Sequence, residues 1–112
     1  MKDTIVYDDF AKLDIRLGLV KEATIPEGSN KLIRQVVDFG EETGERIIFS
    51  GIKEWYSPEE MVGKTLPYVI NLEPRKMMGE ESQGMLMAAG GPDMGAVLIE
   101  PDKQVEPGTP LS

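Results

Sequence analysis

The residues best suited to chemistry stand in two short basic stretches. The first lies within NLEPRKMMGEESQGMLMAA, where Arg75 and Lys76 sit together after an apolar run. Pro74 stiffens the approach to them and Gly79 permits a tight exit. Ser82 and Gln83 follow, offering uncharged hydrogen-bonding groups just before the next apolar run. Two fixed cations beside neutral polar groups suit backbone phosphates plus a few polar contacts. On residue types alone, a solvated hairpin loop is the stronger alternative. Met77, Met78, Met85 and Met87 are expected to pack in or over the core. Met85 has a second option, against an exposed base. The other stretch is Lys31 with Arg34, next to Asn30. Residues three apart on a strand point to opposite faces, so both reach one site only if Lys31 lies in the loop before the strand. The plain alternative is two ordinary surface charges.

What is missing narrows the chemistry further. The 112-residue chain contains no histidine and no cysteine. Ser–His–Asp and Cys–His catalysis, thiolate zinc sites and disulfides are therefore excluded. Neither G-x-x-x-x-G-K-[ST] nor G-x-G-x-x-G occurs, and AAGGP reads only as a turn. Glu80 and Glu81 read as solvated loop charges rather than a cation site. The expectation is a protein that is not an enzyme, with no cofactor and no metal. A net charge of −8 argues by itself against a polyanionic partner, because nucleic-acid binders are usually basic. Distribution matters more than the sum. The acids cluster as Glu41, Glu42 and Glu45, as Glu54, Glu59 and Glu60, and near the C-terminus, so several could face away from a ligand.

The elements that must hold these residues are mostly strands. In DIRLGLVKEATI, alternation places Ile15, Leu17 and Leu19 on one face, and Gly18 marks a bulge or sharp coil. KLIRQVVDF places Ile33, Val37 and Phe39 on one face, which Gln35 interrupts. GEETG reads as a hairpin turn leading into the partner strand ERIIFSGI. SPEEMVG predicts the one clear helix, about two turns long, with Ser57 as cap, Pro58 in the first turn, Glu60 completing a capping box and Gly63 as the stop. TLPYVINL, GMLMAAG and AVLIE read as further strands, the first two buried, and the proline-bearing end PDKQVEPGTPLS as extended. No repeat or linker divides the chain. Many short strands, Gly/Pro turns and one short helix predict a small closed barrel in a single all-β domain over residues 1–112.

Six pieces carry a family resemblance: DFAKLDIRLGLV, NKLIRQVVDFGEE, IIFSGI, YSPEEMVGK, NLEPRKMMG and SQGMLMAA. In this order, over roughly Asp9 to Pro110, the chain resembles the tRNA-binding domain family. That module is found at the C-terminus of bacterial methionyl-tRNA synthetases, as free-standing tRNA-binding proteins and synthetase beta subunits, and in multisynthetase-complex proteins. The resemblance implies a five-stranded OB-fold barrel with one short helix and extended termini, commonly dimeric, that binds tRNA by shape. By position it places Asn30, Lys31, Arg34, Ser50, Arg75, Lys76, Ser82 and Met85 on the tRNA-contacting surface. The departure is at Gln35 and Val36, where the family often has apolar then polar, which leaves open which side chains of that strand face the ligand.

The expected function is a non-catalytic tRNA-binding module. Lys31, Arg34, Arg75 and Lys76 would contact phosphates, and Asn30, Ser50, Ser82 and Gln83 would supply hydrogen bonds. It would assist a methionyl-tRNA synthetase catalytic chain in trans, as a cytoplasmic homodimer away from the membrane. The closeness of the first residues to the motifs reads as a whole protein. The competing function is a peptide-binding, secretion-type chaperone of the same fold.

Overall fold

The computed structural model describes residues 1–91 and 93–112. In chain order the elements are α1 (Tyr7–Phe10), β1 (Ile15–Thr24), β2 (Ile33–Asp38), α2 (Gly40–Thr43), β3 (Glu45–Ser50), α3 (Pro58–Met61), β4 (Thr65–Val69), β5 (Arg75–Met77), β6 (Glu80–Ser82), β7 (Met85–Leu86), β8 (Ala88–Gly91), β9 (Gly95–Leu98) and β10 (Pro110–Leu111). β1 is long enough to serve two antiparallel neighbours. Its first half, Ile15–Leu19, pairs with β4, and its second, Leu19–Thr24, pairs with β2. β2 and β3 form the hairpin expected across GEETG, although α2 supplies a helical turn there. The main path runs β3-β2-β1-β4-β7, with β10 added to β1. Between β3 and the approach to β7 the barrel is drawn together by Gln83. Its backbone N–H donates to the Ile47 carbonyl (2.8 Å), and its side-chain Oε1 accepts from the Ile47 N–H (2.9 Å). This is the small strand-dominated barrel that the residue pattern predicts and, with five strands on its main path, the OB-like barrel that the family resemblance implies.

β2 shows how the core is built. Its inward positions are Ile33, Gln35, Val37 and Phe39, all buried, and its outward ones are Arg34, Val36 and Asp38. Gln35 does not break the face, because its polar atoms are fully used. Its Nε2 donates to Ser50 Oγ (2.8 Å) and the Ile33 carbonyl (3.2 Å), and its Oε1 accepts from the Tyr68 hydroxyl (2.7 Å). Tyr68 is buried, which raises its hydroxyl pKa, and its ring meets Phe39 edge-on at 5.5 Å. Removing that donor orphans a buried carbonyl, so Tyr68→Phe should cost about 1–3 kcal/mol. In urea unfolding, the double variant Tyr68→Phe/Gln35→Leu should lose less than the two single losses summed.

Several local expectations change. In β1 the buried residues are Ile15, Gly18 and Val20, while Leu17 and Leu19 are half-buried. The strand coils as it passes from one neighbour to the other, so strict alternation fails. The register irregularity falls between Val20 and Glu22, not at Gly18, which instead marks a close approach to Val37 and Phe39. The capped helix is present with both capping-box bonds, but α3 is one turn long and is joined by two other single turns, α1 and α2. Its Met61 is buried in the core. GMLMAAG forms β7 and β8, yet Met85 and all of β8 are exposed, because the chain leaves the barrel there to pair with β9. AAGG is thus strand rather than turn, and Pro92 lies outside the described residues. Met78 and Met85 are exposed and Met77 and Met87 half-buried, so Met61 is the buried methionine among the described residues.

Candidate nucleic-acid interface

An OB barrel usually takes its ligand on the outer face of its second and third strands, between the loop joining strands 1 and 2 and the loop joining strands 4 and 5. Here those parts are the outer face of β2–β3, the β1–β2 loop and the β5–β6 hairpin. The β1–β2 loop is held rigid by Ser29, whose Oγ accepts from the N–H groups of Leu32 (3.0 Å) and Lys31 (3.3 Å). Lys53 ties the loop to the segment after β3, donating its Nζ to the Ser29 carbonyl (3.2 Å) and its N–H to the Lys31 carbonyl (3.1 Å). Asn30 and Lys31 are therefore presented to solvent on a braced loop, and Lys31 does precede the strand.

The hairpin opposite is tight. Met78 (φ 51°) and Gly79 (φ 84°) both take left-handed backbone, pairing Arg75 with Ser82, Lys76 with Glu81 and Met77 with Glu80. Neighbouring strand residues face opposite ways, so Arg75 and Met77 share one face and Lys76 takes the other. A Cβ on Gly28 would come within 4.0 Å of Met78 Cε, which places the β1–β2 loop against the hairpin tip.

The sequence-selected residues divide into two groups. Asn30, Lys31, Arg75, Lys76 and Met85 are exposed and stand on these two loops and the adjoining start of β7. Ser50, Ser82, Gln83 and Arg34 are engaged within the fold. Ser50 is buried against Gln35, and Gln83, though exposed, closes the barrel. Ser82 Oγ accepts from the Phe49 N–H (3.0 Å) and donates to the Gly84 carbonyl (3.3 Å). Arg34 makes a two-pronged ion pair with Glu80, Nε to Oε1 at 2.7 Å and Nη2 to Oε2 at 3.1 Å, clamping the hairpin onto β2. Glu80 is thus a partnered side chain and not a free loop charge. Lys53 escaped the sequence reading, since nothing local marks a lysine that braces a loop.

Charge is mixed on this face. Glu41, Glu42 and Glu45 stand at the far end of the β2–β3 hairpin from Lys31. Glu54, however, shares a shallow cleft with Asn30, Lys31 and Trp55, and Glu73, Glu80 and Glu81 flank Arg75 and Lys76. The hydrogen bonds from Arg34 hold the Glu80 carboxyl below its ordinary pKa of 4.5. A depressed carboxylate stabilises the fold above its unfolded pKa, and that contribution disappears as pH falls through the lowered folded value. Amide protection in β5–β6 should therefore persist below pH 4.5 and fail at lower pH. In Glu80→Gln, hydrogen exchange should show no such acid step in the hairpin.

Among the described residues, no three His, Cys, Asp or Glu side chains cluster as a metal site, and no helix is long and apolar enough to cross a membrane. Residues 15–110 match the family model described as "Putative tRNA binding domain". The chain belongs to the tRNA-binding domain family. The resemblance carried by the six motifs is thereby borne out, and the family domain is a binding module rather than a catalytic one.

The curated relatives of this tRNA-binding domain are methionine–tRNA ligases, of which it matches one part. It is 50% identical over 108 residues to a methionine–tRNA ligase of Archaeoglobus fulgidus, covering 96% of this chain and 16% of the ligase. A methionine–tRNA ligase of Methanocella arvoryzae is 48% identical over 105 residues, 94% of this chain and 15% of that protein. The chain therefore spans about a sixth of these relatives, at 16% and 15% of their lengths. A methionyl-tRNA-synthetase-related protein from Pyrococcus horikoshii superposes with a TM-score of 0.92 at 39% identity, covering 99% of this chain and 100% of that one. The chaperone CsaA from Bacillus anthracis superposes with a TM-score of 0.88 at 28% identity, covering 98% and 100%.

Proposed function

We propose that this chain binds folded tRNA on the outer face of β2–β3 and serves a methionyl-tRNA synthetase in trans, in the cytoplasm, without performing chemistry of its own. One observation carries this: two separately braced loops present Lys31 and the Arg75/Lys76 hairpin around the OB ligand face of a tRNA-binding-family domain. Lys31, Arg75 and Lys76 contact phosphates, Asn30 donates hydrogen bonds, and Arg34 positions the hairpin. Ser50, Ser82 and Gln83 serve by shaping the loops and closing the barrel.

The test is polarisation of labelled tRNA, with unlabelled competitors at one fixed salt concentration. Folded tRNA and an unstructured RNA of equal length carry the same phosphate charge, so only geometry separates them. Folded tRNA should compete and the unstructured RNA should compete poorly. Absence of saturable tRNA binding at low salt overturns the reading. A chaperone reading is favoured by the likeness to CsaA and by an open surface depression in which Ile25, Trp55, Tyr56 and Pro58 stand beside Lys53, Glu54, Glu59 and Glu60. It predicts that unfolded polypeptide binds and tRNA does not displace it.

Self-association belongs to the same proposal. Ile5, Val6 and Tyr7 at the N-terminus and Met94, Val97 and Ile99 around β9 are large apolar side chains left in solvent. Exposed apolar groups of this kind mark association surfaces where they are contiguous. Light scattering should give twice the 12.4 kDa chain mass at micromolar concentration, and a monomer at high micromolar concentration removes the dimer.

A further inference from the structure

The β5–β6 hairpin does more than display charge: it roofs a small hollow against β3. Phe49 and Ser82, both buried, form the floor, and Leu72, Arg75, Met77 and Met85 form the walls and rim. The hollow holds about 110 Å³. That is room for roughly four waters at ~30 Å³ each, and well short of the ~300–1,000 Å³ of a whole small-molecule site. Such a space takes one ring-sized group of a ligand anchored elsewhere. Ser82 has no proton to donate to the group, since its hydroxyl already donates to the Gly84 carbonyl and accepts from the Phe49 N–H. What remains is apolar, polarisable wall on one side and, at the rim, a guanidinium on Arg75 and a carboxylate on Glu73. Neither is in an ion pair among the described residues. An apolar slot with one donor group and one acceptor group at its mouth matches a flat heterocycle with a polar edge.

We infer that this hollow receives one unstacked nucleobase of the bound tRNA, stacked against Met77 and Met85 with its polar edge toward Arg75 and Glu73. The inference rests on the tRNA-binding reading and adds to it a contact with a base. The mixed charge of the face supports it. Glu73 and Glu81 offset Arg75 and Lys76 along the hairpin, while Glu80 is taken up by Arg34, so phosphate attraction alone leaves affinity weak, and stacking supplies a contribution that salt does not screen. Met85 is half-exposed and lines the rim beside Arg75, which ties the hollow to the surface that contacts phosphates.

The experiment follows the ε-methyl resonances of the full chain with labelled methionine, titrated with a folded tRNA transcript and separately with inorganic polyphosphate. Polyphosphate offers the backbone chemistry without bases. Ring currents should move the Met77 and Met85 methyls upfield with tRNA and not with polyphosphate, while Met61, buried in the core, stays in place. In parallel, Met85→Ala should weaken tRNA binding about tenfold with an unchanged salt slope, and leave polyphosphate binding as it was. Saturable tRNA binding with Met77 and Met85 unmoved overturns the base pocket and leaves the tRNA reading standing. Equal shifts with polyphosphate do the same. No tRNA binding overturns both.

Discussion

Gly18→Ala should unfold this domain more readily than any single loss of a surface contact. A Cβ at this position would lie 2.4 Å from Val37 Cγ1 and 2.6 Å from Phe39 Cε1, closer than carbon atoms tolerate. Both neighbours are buried, and Phe39 is wedged edge-on against Tyr68, so neither has room to retreat. β1 cannot move away either, because Gly18 is paired in register with Leu66 of β4. Overpacking a fixed core of this kind costs about 3 kcal/mol. In a domain of this size that is a fall in Tm of roughly 10 °C or more. Thermal unfolding followed by circular dichroism measures it. Gly51→Ala is the matched control, since nothing lies within 4 Å of a Cβ there and its φ is not positive. A surface change of that sort stays within about 0.5 kcal/mol. Adding Val37→Ala to Gly18→Ala should recover part of the loss, because the methyl that collides is then absent. Equal melting of Gly18→Ala and the wild type would show that the strand crossing is looser than described.

Loss of Lys31 and Lys76 together should have the largest effect on tRNA binding. The two lysines stand on different loops, one before β2 and one in the β5–β6 hairpin, and neither is in an ion pair among the described residues. Each phosphate contact releases counterions, so log affinity falls with log salt by about 0.7–0.9 per contact. Lys31→Ala/Lys76→Ala should therefore flatten the salt slope by about 1.5. Affinity should drop on the order of tenfold to a hundredfold at low salt, and by a similar factor for different tRNAs, because a phosphate carries no sequence. The residues engaged within the fold should behave differently. Ser82→Ala removes the acceptor of the buried Phe49 N–H, so it should lower stability while leaving the salt slope as it was. An unchanged affinity and slope in the double lysine variant would remove both residues from the interface.

Much of this protein was legible in its residues because the relevant physics is local. The missing histidines and cysteines exclude whole classes of catalysis however the chain folds. Alternation along β2, the hairpin at GEETG and the capping box of Ser57 and Glu60 depend on neighbours within a few positions, and all three are present. The order of six motifs located the family over roughly Asp9 to Pro110, and the family model matches residues 15–110.

What depended on distant partners was decided only in three dimensions. Gln35 looked like an intruder on an apolar face, because Ser50 and Tyr68, which satisfy it, are 15 and 33 positions away. Arg34 and Glu80 stood as separate charges until the fold closed 46 positions between them. The burial of β1 shifted out of simple alternation because one strand serves two neighbours, and no window of sequence records which strand lies alongside. Arg75 and Lys76 are adjacent in the chain, yet pairing of β5 with β6 turns them to opposite faces. Residue type specifies what a side chain can offer, but the partners brought up by the closed barrel determine whether that offer is already used inside the fold or left open to a ligand.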